Sequence, residues 1–320
     1  MVDRVFVTGA GGFVGRHLMS FLESRELDQV GGLVHSETSI PRLKEQFPEF
    51  RFYNGDLQHP PELTEIFSDF HPDTVVHLAA ISEPSVCRNQ PRKAYEINVV
   101  GQWNLVETIL ETGTVERVLI AGSAREYGLS SKKREPLEES DCLQPRDPYA
   151  ISKATQDHMG VHVQEEYEID VYRTRAFNHS GPGQSLGHVC PDFARQIALI
   201  EQGQQTPPIR TGNLDPLRDF TDVRDVVRAY WMVLTEGTPG DVYNVCRGES
   251  LRVGSILERL IEDSDQDIQF QSKDSKKQNL SKSHLKGSRE KITRELSWVP
   301  EISIDRMLHD VLEDWRERCR

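Results

Sequence analysis

The sequence predicts an α/β protein: a doubly wound parallel sheet with a smaller C-terminal α/β part. Three observations carry this. Short β-branched runs alternate with helical patterns through the first 175 residues, and such alternation implies βαβ units around a parallel sheet. A glycine-rich turn joins the first strand to the first helix. After Phe177 the texture changes to loops dense in Gly, Pro and Gln, as at Gly181–Gly187 and Gly203–Pro208, with one apolar strand returning at Val242–Val245.

The elements follow in order. Arg4–Thr8 is a β-branched run, and residues 12–25 read as a helix with Phe13, Leu18, Phe21 and Leu22 on one face. Further strands are expected at Gln29–Val34 and at residues 50–54, 74–78, 117–121 and 170–175. Helices fall between them at residues 61–69, 93–111 and 149–167; in the first of these Leu63, Ile66 and Phe70 recur at helical spacing. Val253–Glu262 and residues 304–317 are two later helix patterns. Residues 272–291 hold seven Lys/Arg against two acids and read as a solvated loop. At roughly 150 residues per domain the chain divides in two. Residues 1–175, with a return of about 219–246, form the first domain, and residues 176–320 form most of the second.

Composition narrows the function. With 38 Lys/Arg against 51 Asp/Glu the net charge is −13, a poor match to nucleic acid or an anionic membrane surface. No apolar run approaches the ~18 residues that span a bilayer, and the N-terminus has no signal-peptide profile. Cys87, Cys142, Cys190, Cys246 and Cys319 are odd in number and far apart, so neither a disulfide framework nor a zinc site is expected. No metal is expected, and a reducing cytoplasm fits best.

Gly9, Gly12 and Gly15 form a GxxGxxG that follows a strand and opens a helix at Phe13 and Val14. Glycine makes the turn, lets backbone approach a pyrophosphate and packs helix on strand, and the helix N-terminus faces the phosphates. This predicts a Rossmann-type dinucleotide-binding domain. An acid at the end of the second strand would accept from the ribose of NAD. Here that strand ends in Val34-His35-Ser36, with no acid until Glu37, which favours NADP(H) with His35 and Ser36 at the 2′-phosphate.

Tyr149 and Lys153 are separated by i, i+4 and share one helix face. The ammonium is expected to lower the phenol pKa from about 10 towards neutrality. Ser123, just past a strand, supplies a third hydroxyl to polarise the same sugar oxygen.

Together with Asp56-Leu57, His77-Leu78-Ala79-Ala80 and Asn98-x-x-Gly101, these motifs make the chain resemble an extended short-chain dehydrogenase/reductase over nearly its whole length. The resemblance implies that Ser123, Tyr149 and Lys153 are catalytic. It also implies that Asp56, Leu57, Leu78, Ala79, Ala80, Asn98 and Phe177 contact the cofactor. The second half, with Asn178-His179-Ser-Gly-Pro182 and Gly212-Asn213-Leu214-Asp215-Pro-Leu-Arg218-Asp219, resembles the GDP-4-keto-6-deoxy-D-mannose reductases of the GDP-mannose 4,6-dehydratase branch. That implies a GDP-linked or other nucleotide-diphospho sugar as substrate. Ser82, Ser123, Arg125, Asn178, Val189, Arg195, Arg218 and Arg289 would bind it; the bland reading of Arg218 is an ion pair with Asp219 or Asp222. It also implies a homodimer through residues 93–111 and 149–167. One departure stands out. The branch carries Arg-Pro-x-Glu where this chain has Gln278-Asn279-Leu280-Ser281, which lacks both charges.

The expected reaction is therefore NADPH-dependent reduction of a C4 ketone, GDP-4-keto-6-deoxy-D-mannose to GDP-D-rhamnose. A nucleotide-sugar 4-epimerase, a 4,6-dehydratase and a non-enzymatic dinucleotide-sensing regulator are the rivals. The dehydratases carry carboxylates one or two residues after the catalytic Ser/Thr. Here those places hold Ala124 and Arg125. Glu126 comes one residue later and, in an extended stretch, would face away from Arg125.

Overall fold

The computed structural model describes residues 2–128, 135–264, 266–272 and 284–320. Its strands begin with β1 (Arg4–Thr8), β2 (Gln29–Val34), β3 (Arg51–Asn54), β4 (Thr74–His77), β5 (Arg117–Ser123) and β6 (Asp170–Ala176). Three short strands intervene, β7 (Asn178–Ser180), β8 (Ile209–Thr211) and β9 (Leu217–Asp222), before β10 (Val242–Val245) returns beside β6. The seven-stranded sheet has the order β10-β6-β5-β4-β1-β2-β3 and is parallel throughout. Val5, Phe6 and Val7 are all fully buried, as expected of a central parallel strand covered on both faces. The chain reverses its direction of travel across the sheet between β1 and β4. In such sheets the crevice for ligand opens there, at the carboxyl ends of the strands.

Helices cover both faces. On one lie α1 (Phe13–Glu23), α2 (Ile40–Gln46) and, later in the chain, Val223–Glu236, around a core that includes Met19, Tyr230 and Trp298. On the other lie α3 (Pro60–Phe70) and the helices that follow it, around Phe67, Leu105, Ile109 and Val163. Those helices are α4 (Pro84–Asn89), α5 (Pro91–Tyr95), α6 (Gly101–Thr112) and α7 (Pro148–Glu166). The second core lies among α8 (Val189–Glu201), α10 (Val253–Glu262) and α12 (Ile304–Arg318), with Phe193, Ile197, Leu257, Met307 and Leu312. Val223–Glu236 is α9, and α11 is Glu290–Leu296. A small sheet joins β9 to β7, to β11 (Ser250–Arg252) and to β13 (His284–Leu285), while β12 (Phe270–Ser272) pairs β8.

Several elements depart from the sequence reading. The helix expected at 93–111 is continuous from α5 into α6 but carries a π-helical turn at Glu96–Val100. The loop reading hid α8, because its first turn contains Pro191 and follows a Gly/Pro-rich run; proline is tolerated there since first-turn amides lack helix partners. Helix α9 was masked by its charges, although Asp222 caps it by accepting from the Arg224 N–H. The solvated loop expected at 272–291 ends earlier, since β13 pairs with β9 and α11 starts at Glu290. Gln278-Asn279-Leu280-Ser281 lies outside the described residues. Among the described residues no helix is long and apolar enough to cross a membrane.

Candidate active site

After Thr8 the chain turns through Gly9 at φ +75°, a left-handed conformation that glycine adopts without strain. A Cβ on Gly9 would lie 2.9 Å from the Ala79 nitrogen, and one on Gly15 would lie 2.2 Å from the Gly9 carbonyl oxygen. Gly12 precedes α1 without a side-chain cap, so the first helical amides, from Phe13 and Val14, are available to an anion. The turn fits a dinucleotide pyrophosphate. Thr8, just before the glycine turn, ties the two strand ends together. Its oxygen accepts from the Ala79 N–H at 3.2 Å and hydrogen-bonds with His77 Nδ1 at 2.8 Å. Burial pushes His77 down to about 3, so its ring stays neutral.

The end of β2 is less bare of acid than the chain order implies. His35 is exposed, and its Nδ1 lies 3.6 Å from the carboxylate of Asp56, which the end of β3 brings alongside. The Ser36 hydroxyl hydrogen-bonds with that of Thr38 at 2.7 Å. Leu57 is buried, its carbonyl accepting from Asn104 at 2.7 Å, while Leu78, Ala79 and Ala80 are half-buried just past β4. Asn98 departs from the expected cofactor contact. It is fully buried in the π turn; its amide oxygen accepts from the Ile81 N–H at 2.7 Å, and its NH2 donates to the Ile81 carbonyl and to the Ser152 hydroxyl. Asn98 thus braces the loop after β4, with its polar groups turned to the protein.

Asp147 and Pro148 start α7, Asp147 accepting from the Ala150 N–H at 3.1 Å. This places Tyr149 and Lys153 one turn apart on a buried face. Ser123, at the end of β5, hydrogen-bonds with the Tyr149 phenol. The expectation that Lys153 pulls the phenol towards neutrality is corrected. The Lys153 ammonium donates to the Ala121 carbonyl at 2.9 Å, and burial pushes Tyr149 up to about 12 against the Ser123 hydrogen bond. The phenol therefore keeps its proton at neutral pH and is set to act as an acid. Burial lowers Lys153 to about 8, with Glu126 opposing.

The stretch after Ser123 is not extended. Ala124–Tyr127 forms a 3-10 turn, so Glu126 folds back to accept from the Ser123 N–H at 2.6 Å and is fully buried. Arg125 forms an ion pair with Asp147. Ser-x-x-Glu is the sequence pattern of such a capping box, and Asp-Pro that of a helix start, so Glu126 and Asp147 had a legible signal.

The second half brings some expected residues together and separates others. Asn178 is exposed at the start of β7, in register with Phe220 of β9. Arg218 lies on β9, where burial lowers it to about 10 and Arg125 acts in the same direction. Its suggested ion partners are committed elsewhere. Asp219 accepts N–H groups from Arg247, Gly248 and Gly287, and Asp222 holds Arg224. Val189 opens α8, and on the same helix Arg195 lines a cavity of about 270 Å³ with Phe193, Gln196, Arg210 and Thr211. Arg210 and Gln196 carried no motif and were missed. Ser82 is exposed in the loop after β4. Two residues sit apart from the expected contacts. The Phe177 side chain is buried with Tyr127, Leu137 and Cys246. Arg289 lines a different cavity of about 250 Å³, with Arg247 and Lys286, and donates to the Arg247 carbonyl.

Residues 6–311 match the family model described as GDP-mannose 4,6 dehydratase. The chain belongs to this family of extended short-chain dehydrogenase/reductases. Within the GDP-mannose 4,6 dehydratase family, it is 30% identical to the GDP-6-deoxy-D-mannose reductase of Pseudomonas aeruginosa, covering 100% of this chain and 99% of that one. It is 25% identical to the GDP-mannose 4,6-dehydratase of Vibrio cholerae, over 98% of this chain and 94% of that one. The structure of RMD from Pseudomonas aeruginosa complexed with NADPH superposes with a TM-score of 0.85 at 30% identity, covering 99% of both chains. The fold class is thus that of the family, a parallel seven-stranded sheet with flanking helices.

Proposed function

We propose that this enzyme reduces the C4 ketone of a nucleotide-diphospho-4-keto-6-deoxy-hexose, and that GDP-4-keto-6-deoxy-D-mannose, reduced to GDP-D-rhamnose, is its substrate. One observation carries the choice within a family named for dehydratases. Beside Ser123 and Tyr149 the neighbouring carboxylates are both committed, Glu126 to the Ser123 N–H and Asp147 to Arg125 and the α7 N-terminus. Dehydration needs a carboxylate to remove the C5 proton and an acid to expel the C6 hydroxyl, whereas a ketone needs only hydride and one proton.

NADPH, when bound, supplies the hydride. Gly9, Gly12, Phe13, Val14 and Gly15 hold its pyrophosphate, and Ala79 lies against the turn. Tyr149 gives its proton to the C4 oxygen while the Ser123 hydroxyl orients that oxygen, and Lys153 holds a positive charge behind both. Asn178 and Arg218 take the nucleotide diphosphate, guanidinium and amide donors suiting its oxygens. Arg195 meets the nucleoside in the cavity it lines, and Ser82, Arg125 and Val189 stand at the sugar.

Supplied with the 4-keto-6-deoxy sugar nucleotide, the protein should consume NADPH stoichiometrically. Incubated with NADP+ and GDP-mannose alone, it should yield no 4-keto-6-deoxy product. Accumulation of that ketone would mark a dehydratase, turnover without net NADPH consumption an epimerase, and binding without turnover a sensor.

The cofactor reading is tested separately. His35 and Ser36 at the end of β2 favour a 2′-phosphate over a bare ribose, so NADPH should bind at least ~10-fold more tightly than NADH. Calorimetry giving equal affinities, or a preference for NADH, rejects it; Asp56 beside His35 is then the residue responsible.

We also read the protein as a homodimer formed through α6 and α7. Val100, at the edge of α6, and Ile151, on α7, are apolar and exposed. Light scattering should give twice the 36.5 kDa chain mass; a monomer overturns the reading. Cys87, Cys190 and Cys246 are free and buried, and Cys142 and Cys319 are also free, which supports a reducing compartment such as the cytoplasm.

A further inference from the structure

We propose that Glu126 is a positioning residue of the reduction, one that clamps the backbone of Ser123 and so fixes the hydroxyl that meets the Tyr149 phenol. The inference rests on the reductase reading above and adds a residue the Ser/Tyr/Lys set leaves out.

The geometry is specific. Glu126 is fully buried, and one oxygen accepts from the Ser123 N–H at 2.6 Å, while the Ser123 hydroxyl oxygen accepts from the Arg125 N–H at 3.3 Å. Gly122 makes the return possible, since a Cβ there would fall 2.7 Å from the Glu126 oxygen and 2.5 Å from the Thr174 carbonyl. The second oxygen lies 3.4 Å from Arg175 Nε. Arg175 is itself fixed, donating to Asp157 at 2.7 Å, the Tyr127 hydroxyl at 3.0 Å and the Glu139 carbonyl at 3.1 Å. Asp157 in turn holds Arg173 at 3.1 Å. The strand end Ala121-Gly122-Ser123 is thereby held at both ends, Lys153 on the Ala121 carbonyl and Glu126 on the Ser123 amide.

Glu126 faces Lys153 and Asp157 on α7 and Arg175 on β6. Burial and Asp157 push it up to about 8, and the Ser123 N–H, Arg175 and Lys153 oppose that shift. The group is therefore largely protonated at neutral pH, where one oxygen still accepts from the Ser123 N–H. An amide offers the same oxygen, so the clamp does not depend on charge.

Two variants test the clamp. Glu126→Gln keeps an oxygen for the Ser123 amide, so in NADPH-dependent ketone reduction it should retain kcat to within about threefold of wild type. Glu126→Ala removes that oxygen; kcat should fall at least about tenfold while NADPH affinity holds. Circular dichroism shows whether each variant is folded. A folded Ala variant with wild-type kcat overturns the clamp, and so does a folded Gln variant that falls as far as Ala. Should the Ala variant not fold, Glu126→Asp, one methylene short of the amide, takes its place. Absence of any ketone reduction by the wild-type protein would instead refute the reductase reading itself.

Discussion

Tyr149→Phe should lower kcat for NADPH-dependent ketone reduction by at least ~10³-fold, because it removes the acid and leaves hydride delivery without a proton. The phenol is pushed up to about 12 by burial, so it is protonated throughout the working range and contributes no acidic limb. The basic limb belongs to Lys153, lowered by burial to about 8. Wild-type kcat should therefore be level below that pH and fall about tenfold per unit above it. The Phe variant should retain its circular dichroism and NADPH affinity, since the ring still packs with Cys87, Ala94 and Ile81. A variant retaining a tenth of wild-type kcat would show that another group donates the proton.

Gly15→Ala should weaken NADPH binding by at least ~100-fold. The new Cβ would stand 2.2 Å from the Gly9 carbonyl and 2.8 Å from that of Ala10. Both are backbone atoms of the turn, so relief requires rebuilding the pyrophosphate cradle rather than moving a side chain. Overpacking of this kind costs about 1–3 kcal/mol of stability as well, measurable by urea denaturation. Gly113→Ala serves as the control. It strains a glycine at φ +65° with nothing within 4 Å of its Cβ, so stability should fall while NADPH affinity holds. A Gly15→Ala protein that binds NADPH within threefold of wild type would remove the turn from the cofactor site.

Much of the site was legible because its spacing is local. Gly9, Gly12 and Gly15 fall within one turn, and Tyr149 and Lys153 within one helix face. Arg4–Thr8, Gln29–Val34, Val242–Val245 and Val253–Glu262 begin and end where their patterns do. What was not legible depends on residues far apart in the chain. The resemblance implied a cofactor contact for Phe177, yet its ring is buried with Tyr127 and Cys246. Asp56 comes to His35 only because β3 pairs beside β2. Arg195 and Arg289 were expected at one ligand, but α8 and the N-terminus of α11 carry them to separate cavities.

The sequence by itself determined the alternation of strand and helix, the glycine turn and the Ser123, Tyr149 and Lys153 set, since each follows from local spacing and backbone sterics. Only the tertiary structure decided which protons those groups hold. The phenol was expected near neutrality on the strength of a neighbouring lysine. Burial sets the opposite direction, with the ammonium turned to Ala121 and Glu126 folded beneath Ser123. Ionisation depends on desolvation and on charges from Asp157 and Arg175, which lie on other elements. A local pattern can place a titratable group on a face, but the field around that group comes from the packed fold.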